Sequence, residues 1–264
     1  MLSAKDIINA LMESGACVAG CCEASDELYI GENRGYKSIF CGAFPYLSED
    51  DSNGRMANYS LGLDYHEVLK SRIQSKLPGF DVFADVSPFN EIRVAETCGI
   101  GKRGKNNHIA VDGYGTYVFL ACIGADVEAD VITESTVPDC KNCNACVNAC
   151  PTNALYVNNG EVKYNVDRCL SNISQKKGEL TDDELNALHE NNIVWGCDRC
   201  QDACPKNIGA KLTYIQEFLE HPHYPTTSAE LEDMSNKEFR RIYKNRAFSW
   251  RGVAVLRRNL KNLE

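Results

Sequence analysis

Apolar residues in the first half of the chain follow two periods, one typical of helices and one typical of strands. Apolar positions with helical spacing run from Leu61 to Leu77 and stop at Pro78-Gly79, which predicts an amphipathic helix. A second helix is predicted over residues 88–98. Short apolar runs without helical spacing predict strands, and these lie at residues 16–22, 38–44, 81–86, 108–111 and 116–123.

Polar residues add a further signal near the N-terminus. Ser3-x-x-Asp6 has the spacing of a capping box and predicts the start of an amphipathic helix. The segment around Lys5 lacks the apolar stretch of a secretory signal, and no part of the chain approaches the length of an apolar membrane span. We therefore expect a soluble protein of a reducing compartment, the cytoplasm.

Charge is distributed unevenly along the 264 residues, whose net charge is −9. From Ser235 to Glu264 there are nine Lys or Arg and two Glu, so this segment carries +7 and the rest of the chain −16. Ser235-x-x-Glu238 is a second capping-box spacing and predicts a basic helix. Such a helix either packs as a solvated face on an acidic body or binds the phosphates of a nucleic acid, and the charge pattern leaves both open.

Eight of the fourteen cysteines form an ordered array, C-x2-C-x2-C-x3-C-P, then one cysteine, then C-x2-C-x3-C-P. In two-cluster ferredoxins a loop with this spacing gives three thiolates to one [4Fe-4S] cluster, and the cysteine before proline binds the other cluster. The second half has Val194 where a further cysteine is expected, so Cys169 is assigned as a displaced ligand. The ligands are Cys140, Cys143, Cys146 and Cys204 for cluster one, and Cys150, Cys169, Cys197 and Cys200 for cluster two.

Two other kinds of site use paired cysteines. Zinc sites share the C-x2-C spacing, but they do not require two C-x3-C-P endings. A disulfide framework is typical of short secreted chains. We therefore interpret the array as an electron-transfer segment.

This array and the hydrophobic pattern together predict the α+β fold class. We expect an α/β domain over residues 1–124, a two-cluster ferredoxin-like domain over residues 125–215 and a short, basic helical tail over residues 216–264. The other six cysteines lack metal-ligand spacing and are interpreted as small core residues. They are Cys17, Cys21, Cys22, Cys41, Cys98 and Cys122.

A glycine-rich loop at residues 99–106 satisfies two nucleotide-binding patterns, G-x-G-x-x-G and, apart from its last position, G-x-x-x-x-G-K-[ST]. The first pattern must follow a strand and open a helix, whereas here a predicted helix precedes the loop. The second needs a hydroxyl for magnesium where this chain has Asn106. Glycines at this density still allow close approach to a large ligand, and Lys102, Arg103 and Lys105 add cationic donors.

Several short motifs, taken in order, resemble the epoxyqueuosine reductase family, and the likeness covers residues 16–210. The displaced ligand Cys169 also falls where that family has one. The motifs are Pro45-Tyr46, Asp64-Tyr65-His66-x-Val68-Leu69, Asp85-Val86-Ser87-Pro88 with Glu91, Gly99-x-Gly101-x-x-Gly104-Lys105-Asn106, Val118-Phe119-Leu120 and the cysteine array.

The resemblance implies a cobalamin-dependent iron-sulfur reductase that removes the epoxide oxygen of epoxyqueuosine in tRNA. It implies that the N-terminal domain binds cobalamin, with Asp85 as the catalytic acid. A carboxyl buried beside an apolar macrocycle would favour its protonated form, and Asp85 could also cap the helix predicted near Pro88. His66 is interpreted as a structural residue of its helix. The residues expected beside cobalamin are Gly99, Gly101, Gly104, Lys105 and Asn106.

The implied partners are a ferredoxin or flavodoxin as electron donor and tRNA, held through the basic tail, with no membrane partner. Two departures from the family pattern affect these expectations. Lys102-Arg103 replaces the Trp-Ile usual in the loop, and the chain ends at Glu264, where the family continues into a helical-repeat domain that helps to hold tRNA. Alternatives are a cobalamin-dependent reductase of a small non-tRNA substrate and a non-catalytic two-cluster electron carrier.

Overall fold

The computed structural model describes residues 2–49, 54–220 and 223–264. These residues form two compact units, each assembled from three segments of the chain. The first unit contains Met1–Leu47, Tyr65–Cys143 and Lys206–Gln216, and the second contains Ser48–Asp64, Asn144–Pro205 and Glu217–Glu264. Helices and strands occur together, which confirms the α+β fold class.

The first unit contains three helices and five strands within its described residues. One 3₁₀ turn, Asp26–Leu28, follows the first strand. The elements in chain order are α1 (Ala4–Glu13), β1 (Val18–Glu23), β2 (Ser38–Pro45), α2 (Tyr65–Lys76), α3 (Glu91–Thr97), β3 (Lys102–Arg103), β4 (Ile109–Ala110) and β5 (Val118–Ala125).

The centre of this unit is an antiparallel sheet of order β1-β2-β5. Every residue of β2 is buried, as expected for a central strand covered on both faces. Its residues Ile39, Cys41 and Ala43 join one apolar cluster with Val94 and Ala95 of α3. This packing fixes α3, and with it the segments just before and after α3, against the sheet.

Most of the elements expected in this region are confirmed, with ends displaced by a few residues. The Ser3 hydroxyl accepts a hydrogen bond from the Asp6 N–H at 3.3 Å, and the Asp6 carboxylate accepts one from the Ser3 N–H at 2.8 Å. The predicted capping box therefore opens α1. The predicted helices correspond to α2 and α3, and four of the five predicted strands correspond to β1, β2, β4 and β5.

The predicted strand at residues 81–86 is wrong. Within this segment Phe83 makes one isolated bridge to Cys122 of β5, and the following residues form a bend. Asp85 has φ +64°, in the left-handed region, where an L-residue cannot continue an extended strand. The apolar residue Val86 is 83% exposed instead of buried.

The second unit contains seven helices and one β-hairpin within its described residues, and the hairpin strands β6 and β7 pair antiparallel. Short 3₁₀ turns lie at Asn58–Ser60, Val166–Arg168, Pro205–Asn207, Ala229–Leu231 and Ser249–Arg251. The elements are α4 (Ala145–Asn148), β6 (Leu155–Asn158), β7 (Glu161–Tyr164), α5 (Leu170–Gln175), α6 (Asp182–Glu190), α7 (Arg199–Asp202), α8 (Gln216–Leu219), α9 (Asn236–Ile242) and α10 (Val253–Leu263).

The C-terminal segment contributes much of this unit's core. Trp195 packs in one buried cluster with Phe239, Phe248 and Leu256. The helix α10 also contacts α5, α6 and α9. Ser235 caps α9 by accepting a hydrogen bond from the Glu238 N–H at 3.2 Å. The basic segment is therefore an integral part of a packed unit.

Three arginines of the basic segment are bound to backbone carbonyls. The Arg246 guanidinium is buried and donates to the carbonyls of Ser60 and Leu61 at 3.2 and 2.7 Å. Arg257 donates to Leu231 and Met234, and Arg258 to Lys176 and Gly178. Five other cations stay exposed, namely Lys237, Arg240, Arg241, Lys244 and Lys261.

Candidate functional site

Asp85 lies in the bend between α2 and α3, with 67% of its side chain exposed. Its carboxylate lies 3.4 Å from Nε2 of His66, in the first turn of α2. This interaction with His66 is the main reason why the pKa of Asp85 lies below its usual value, although partial burial opposes the shift. At neutral pH the Asp85 side chain is therefore a carboxylate.

The expectation that burial beside a cobalamin macrocycle favours the protonated form of Asp85 stays a prediction; in the protein alone the side chain is exposed and hydrogen bonding by His66 lowers its pKa. A second expectation about Asp85 is wrong. We also considered Asp85 as the cap of the following helix. That cap is Asn90, whose side chain accepts a hydrogen bond from the Arg93 N–H.

His66 is positioned by aromatic stacking as well as by the carboxylate. Its ring stacks on Tyr65 with centroids 4.0 Å apart, and Tyr65 stacks on Phe119 of β5 at 4.1 Å with an interplanar angle of 9°. The aromatic column anchors His66 to the central sheet. The interpretation of His66 as a structural residue of its helix agrees with this stacking, and the ring also faces Asp85.

Glu91, the first residue of α3, forms a hydrogen bond with the backbone of the Asp85 bend. Its Oε2 accepts a hydrogen bond from the backbone N–H of Asp85 at 3.2 Å. Its Oε1 is buried and has no hydrogen-bond partner among the described residues. Burial is the largest cause that raises the pKa of Glu91, to about 7, and the negative charge of Asp85 adds to it. A proton can thus reside on Glu91 near neutral pH.

The glycine-rich loop connects the strands of a small hairpin, in which Lys102 pairs with Ala110 and Arg103 with Ile109. Gly99 has φ +71°, and a Cβ atom there would lie 1.7 Å from the Thr133 carbonyl oxygen. A Cβ at Gly101 would lie 2.4 Å from Ile109. A Cβ at Gly104 would lie 2.6 Å from the Asn106 side chain. Contacts with the backbone of the protein therefore account for Gly99 and Gly101.

The two polar residues at the loop tip also have partners in the first unit. Asn106 is buried, and its backbone carbonyl lies 2.9 Å from Nδ1 of His108. Lys105 donates from Nζ to the backbone carbonyls of Lys141 and Cys143, at 2.7 and 2.8 Å. The expectation that these residues line a cobalamin site stays a prediction.

Four of the cysteines assigned as cluster ligands lie close together in the second unit. The thiols of Cys197 and Cys169 both contribute to the raised pKa of Cys200, although burial is the larger cause. Tyr164 interacts with the thiols of Cys169, Cys200 and Cys150. These interactions place Cys150, Cys169, Cys197 and Cys200 in one part of the second unit, and Cys146 also lies within electrostatic range of Cys200. The assignment of the four to cluster two, with Cys169 as displaced ligand, stays a prediction.

The chemistry of this thiol set fits an iron-sulfur cluster. Burial raises the pKa of Cys197 to about 12, and the negative charges of Asp198 and Cys169 add to the shift. Four thiolates at such a site are stabilised when iron supplies compensating positive charge, so cluster binding releases protons. Cys150 and Cys169 are half-buried, as are Cys197 and Cys200.

Two of the cysteines assigned to cluster one belong to the first unit and two to the second. Cys140 and Cys143 end the first unit's second segment, and the Cys143 N–H donates to the Cys140 carbonyl at 2.7 Å, which closes a turn. In the second unit Cys146 lies on α4, which packs against α7, and Cys204 follows α7. The assignment of these four to one cluster stays a prediction.

The other six cysteines belong to the core or edge of the first unit. Cys41 and Cys122 are fully buried partners in the central sheet, and Sγ of Cys98 lies 3.5 Å from Sγ of Cys22. Cys21 is buried and Cys17 is half-buried. Their interpretation as packing residues agrees with these positions.

Sequence reasoning assigned no role to Glu91 or Tyr65. Both stood in motifs that carried the resemblance, but the pattern gave no distance between them and Asp85. A signal was present for Glu91: an acidic residue six positions after Asp85, at the start of a predicted helix, can reach back to a preceding bend. Tyr65 carried no such signal.

The cysteine segment matches a known protein family. Residues 139–207 match the family described as "4Fe-4S double cluster binding domain". Among the described residues, no three His, Cys, Asp or Glu side chains converge on a point where they could hold a single metal ion. A [4Fe-4S] cluster does not need such convergence, because each thiolate binds a different iron. No described helix is both long and apolar enough to cross a bilayer.

Curated relatives carry one common name, "Epoxyqueuosine reductase". The protein of that name from Staphylococcus aureus is 33% identical over 85% of this chain, and the match covers 60% of that relative. The relative from Cyclobacterium marinum is 30% identical over 81% of this chain and 72% of its own length. The chain thus spans about six-tenths of the S. aureus protein.

Several solved structures with the same fold bear the same name. A structure titled as epoxyqueuosine reductase with an epoxyqueuosine-modified tRNA-Tyr stem loop is 27% identical and has a TM-score of 0.77, covering 98% of this chain and 80% of that one. A Bacillus subtilis structure, titled with its catalytic aspartate loop swung out of the active site, is 26% identical with a TM-score of 0.78 and the same coverage.

Proposed function

Because the chain belongs to the epoxyqueuosine reductase family, we propose that it is an iron-sulfur and cobalamin-dependent reductase that converts epoxyqueuosine in tRNA to queuosine. The observation that carries the proposal is the combination, in one chain, of a double-cluster segment and the Asp85–His66–Glu91 group. The tRNA substrate would place the reaction in the cytoplasm.

The proposed reaction consumes two electrons and two protons and releases one water. Both C–O bonds of the epoxide break, a carbon-carbon double bond forms, and the oxygen leaves as water. A ferredoxin or flavodoxin supplies the electrons one at a time, and the [4Fe-4S] clusters pass them on. Reduction of the epoxide carbon is the chemistry that cobalamin supplies when it is bound.

The chain's own residues would manage the protons. The oxygen becomes basic as its bonds to carbon break, so a positioned acid lowers the barrier. Asp85 faces solvent and is ionised before substrate binds, which requires that it receive a proton from a neighbour. His66 at 3.4 Å is the direct neighbour, and Glu91, with a pKa of about 7, lies within electrostatic range of both Asp85 and His66.

The exposed residues around Asp85 have the chemical character needed to contact a large, partly apolar cofactor. Val86 is 83% exposed beside the exposed Asp85 carboxylate, so an apolar surface and an acid lie next to each other. The orphaned Oε1 of Glu91 shows that polar groups here are not fully satisfied by the protein. We propose that Asp85 and Val86 face cobalamin and that His66 and Glu91 hold Asp85 in place.

We propose that tRNA contacts the exposed cations of α9 and its C-terminal end. Arg257 and Arg258 are committed to backbone carbonyls and are poor candidates for phosphate contacts. Arg240 and Arg241 are exposed, as is Lys244. The solved relative with a tRNA stem loop supports a nucleic acid partner for this fold. Binding should weaken steeply with salt, because phosphate contacts release counterions.

An anaerobic assay of the reconstituted chain tests the proposal. The protein is loaded with iron, sulfide and cobalamin, reduced, and incubated with a tRNA stem loop containing epoxyqueuosine, and nucleosides are then analysed by mass spectrometry. We expect queuosine from the wild type. Asp85→Asn, with its iron and cobalamin content unchanged, should lose about 10²-fold or more in rate.

Two results separate the alternatives. Free cobalamin spectra after mixing, without the change expected on binding, would favour the non-catalytic electron carrier. Bound cobalamin with no conversion of the stem loop, but conversion of free epoxyqueuosine nucleoside, would favour a small substrate. As a matched test of the cationic surface, Arg240→Ala should weaken stem-loop binding, whereas Arg93→Ala in α3 should not.

A further inference from the structure

Lys105 connects the tip of the glycine loop to the turn that carries the first cysteines. Its Nζ donates to the carbonyl of Lys141 at 2.7 Å and to the carbonyl of Cys143 at 2.8 Å. Both carbonyls lie within or at the end of the turn closed by the Cys143 N–H and the Cys140 carbonyl. One ammonium group therefore binds two carbonyls of a predicted ligand loop, 36 and 38 residues away in sequence.

The turn needs such support because its backbone is unusual. Lys141 has φ +31°, a value close to the left-handed region that L-residues seldom occupy. Cys143 is exposed, so little packing holds its side chain. Hydrogen bonds from a charged donor are stronger than neutral ones and can hold a strained turn in one conformation.

The loop that presents Lys105 is itself rigid. The Gly104 N–H donates to the His108 carbonyl at 2.8 Å, and the Asn107 N–H donates to the Gly104 carbonyl at 3.0 Å. The Arg103 guanidinium donates to the Asn107 side chain at 2.6 Å. These bonds, with the short hairpin of β3 and β4, fix the base of the Lys105 side chain.

We propose that Lys105 is a positioning residue for the first iron-sulfur cluster: it holds the Cys140–Cys143 turn in its ligand conformation and makes that cluster easier to reduce. The proposal rests on the proposed function because it assumes that these cysteines bind a [4Fe-4S] cluster. A fixed positive charge beside a ligand loop stabilises the more negative, reduced cluster. Net charge and hydrogen bonding near the ligands are known determinants of cluster potential.

The test is a redox titration of the reconstituted full chain, without cobalamin or substrate, followed by electron paramagnetic resonance. Iron is measured in parallel, with about eight atoms per chain expected for two clusters. Lys105→Met removes the charge and the donors but keeps the aliphatic chain. Lys102→Met, in β3 of the same hairpin, removes one charge without touching the cysteine turn.

We expect Lys105→Met to shift one cluster to a more negative potential and to leave the other unchanged, while Lys102→Met shifts neither. If Lys105→Met instead loses about half of its iron, the holding role is supported. Lys105→Gln, which keeps an N–H donor without charge, should then restore the iron and still show the negative shift. Full iron content with both potentials unchanged in Lys105→Met and Lys105→Gln would overturn the inference.

These outcomes are distinct from failure of the proposed function. If the wild type binds no cluster at all, the function proposed above is wrong at its first step. If the wild type holds two clusters and reduces epoxyqueuosine, but Lys105→Met titrates as the wild type does, the inference about Lys105 alone is wrong.

Discussion

The buried carboxyl of Glu91 makes a measurable link between pH and the stability of the first unit. The pKa of this group is raised from 4.5 to about 7 in the folded protein, mainly by burial. Between these two values the folded state binds a proton that the unfolded state releases. The free energy of unfolding should therefore fall as the pH rises from 4.5 to 7, because each pKa unit corresponds to about 1.4 kcal/mol.

Over the whole window the effect of Glu91 amounts to about 3 kcal/mol at most. The groups around it act in opposite directions. Asp85 raises the pKa and His66 lowers it, and the buried thiols of Cys41 and Cys122, from the two strands against which α3 packs, lie within electrostatic range. Glu91→Gln keeps an oxygen for the Asp85 N–H but does not titrate.

The assay is anaerobic urea unfolding of the reconstituted wild type and Glu91→Gln, followed by circular dichroism at pH 5 and pH 8. At each pH the free energy of unfolding of Glu91→Gln is subtracted from that of the wild type. The difference removes the contribution of the clusters, which both proteins contain. The stability of the wild type relative to Glu91→Gln should be lower at pH 8 than at pH 5. Glu96→Gln, an exposed position of the same helix, controls for the loss of one negative charge. Equal differences at both pH values would refute the reasoning.

Three further predictions follow from single contacts. Arg257→Ala should destabilise the protein by about 1–3 kcal/mol in urea unfolding, since it leaves two carbonyls without their charged donor, whereas Arg240→Ala should change stability by less than about 0.5 kcal/mol. Gly99→Ala should cost more than about 1 kcal/mol, because its Cβ would collide with the Thr133 carbonyl, and an unchanged urea midpoint would contradict this. Cys169→Ser should retain about half of the iron measured in the wild type, and full iron content would remove it as a ligand.

Local sequence signals predicted the elements whose causes are local. The Ser3-x-x-Asp6 box opens α1 because both partners lie within one turn, and the apolar stripe of α2 predicts that helix through its spacing alone. The strand predicted at residues 81–86 is wrong because its conformation involves a contact outside the segment. Its apolar residues resemble a strand, but the positive φ of Asp85 depends on a hydrogen bond from its N–H to Glu91, which the pattern does not contain.

The roles of charged residues were harder to predict because they depend on long-range contacts. Arg257 and Arg258 belong to the basic segment, whose charge pattern left packing and phosphate binding both open, and their guanidinium groups bind carbonyls of the same unit. Lys105, expected beside a cofactor, reaches the turn of Cys143, a contact that the sequence pattern does not contain. Counting charged residues predicts the net charge of a segment. It does not show which cations are hydrogen-bonded to backbone carbonyls and which remain exposed.

The cysteine array was the most informative feature of the sequence because ligand number and spacing are set by cluster chemistry. The four cysteines of the set that includes Cys169 lie in one part of the second unit, and their binding of a single cluster stays a prediction. The Asp85 site was located by resemblance and then corrected by geometry. Its carboxylate is exposed and paired with His66, and the group with a raised pKa is Glu91.

We propose that this chain uses electrons from its clusters to remove the oxygen of epoxyqueuosine. The decisive experiment counts the electrons consumed per queuosine formed, with the reconstituted chain, cobalamin, a titrated one-electron reductant and a modified tRNA stem loop. We expect two electrons per product and no product when cobalamin is omitted. Reductant consumption with the epoxide left intact in the presence of bound cobalamin would show that the proposed function is wrong.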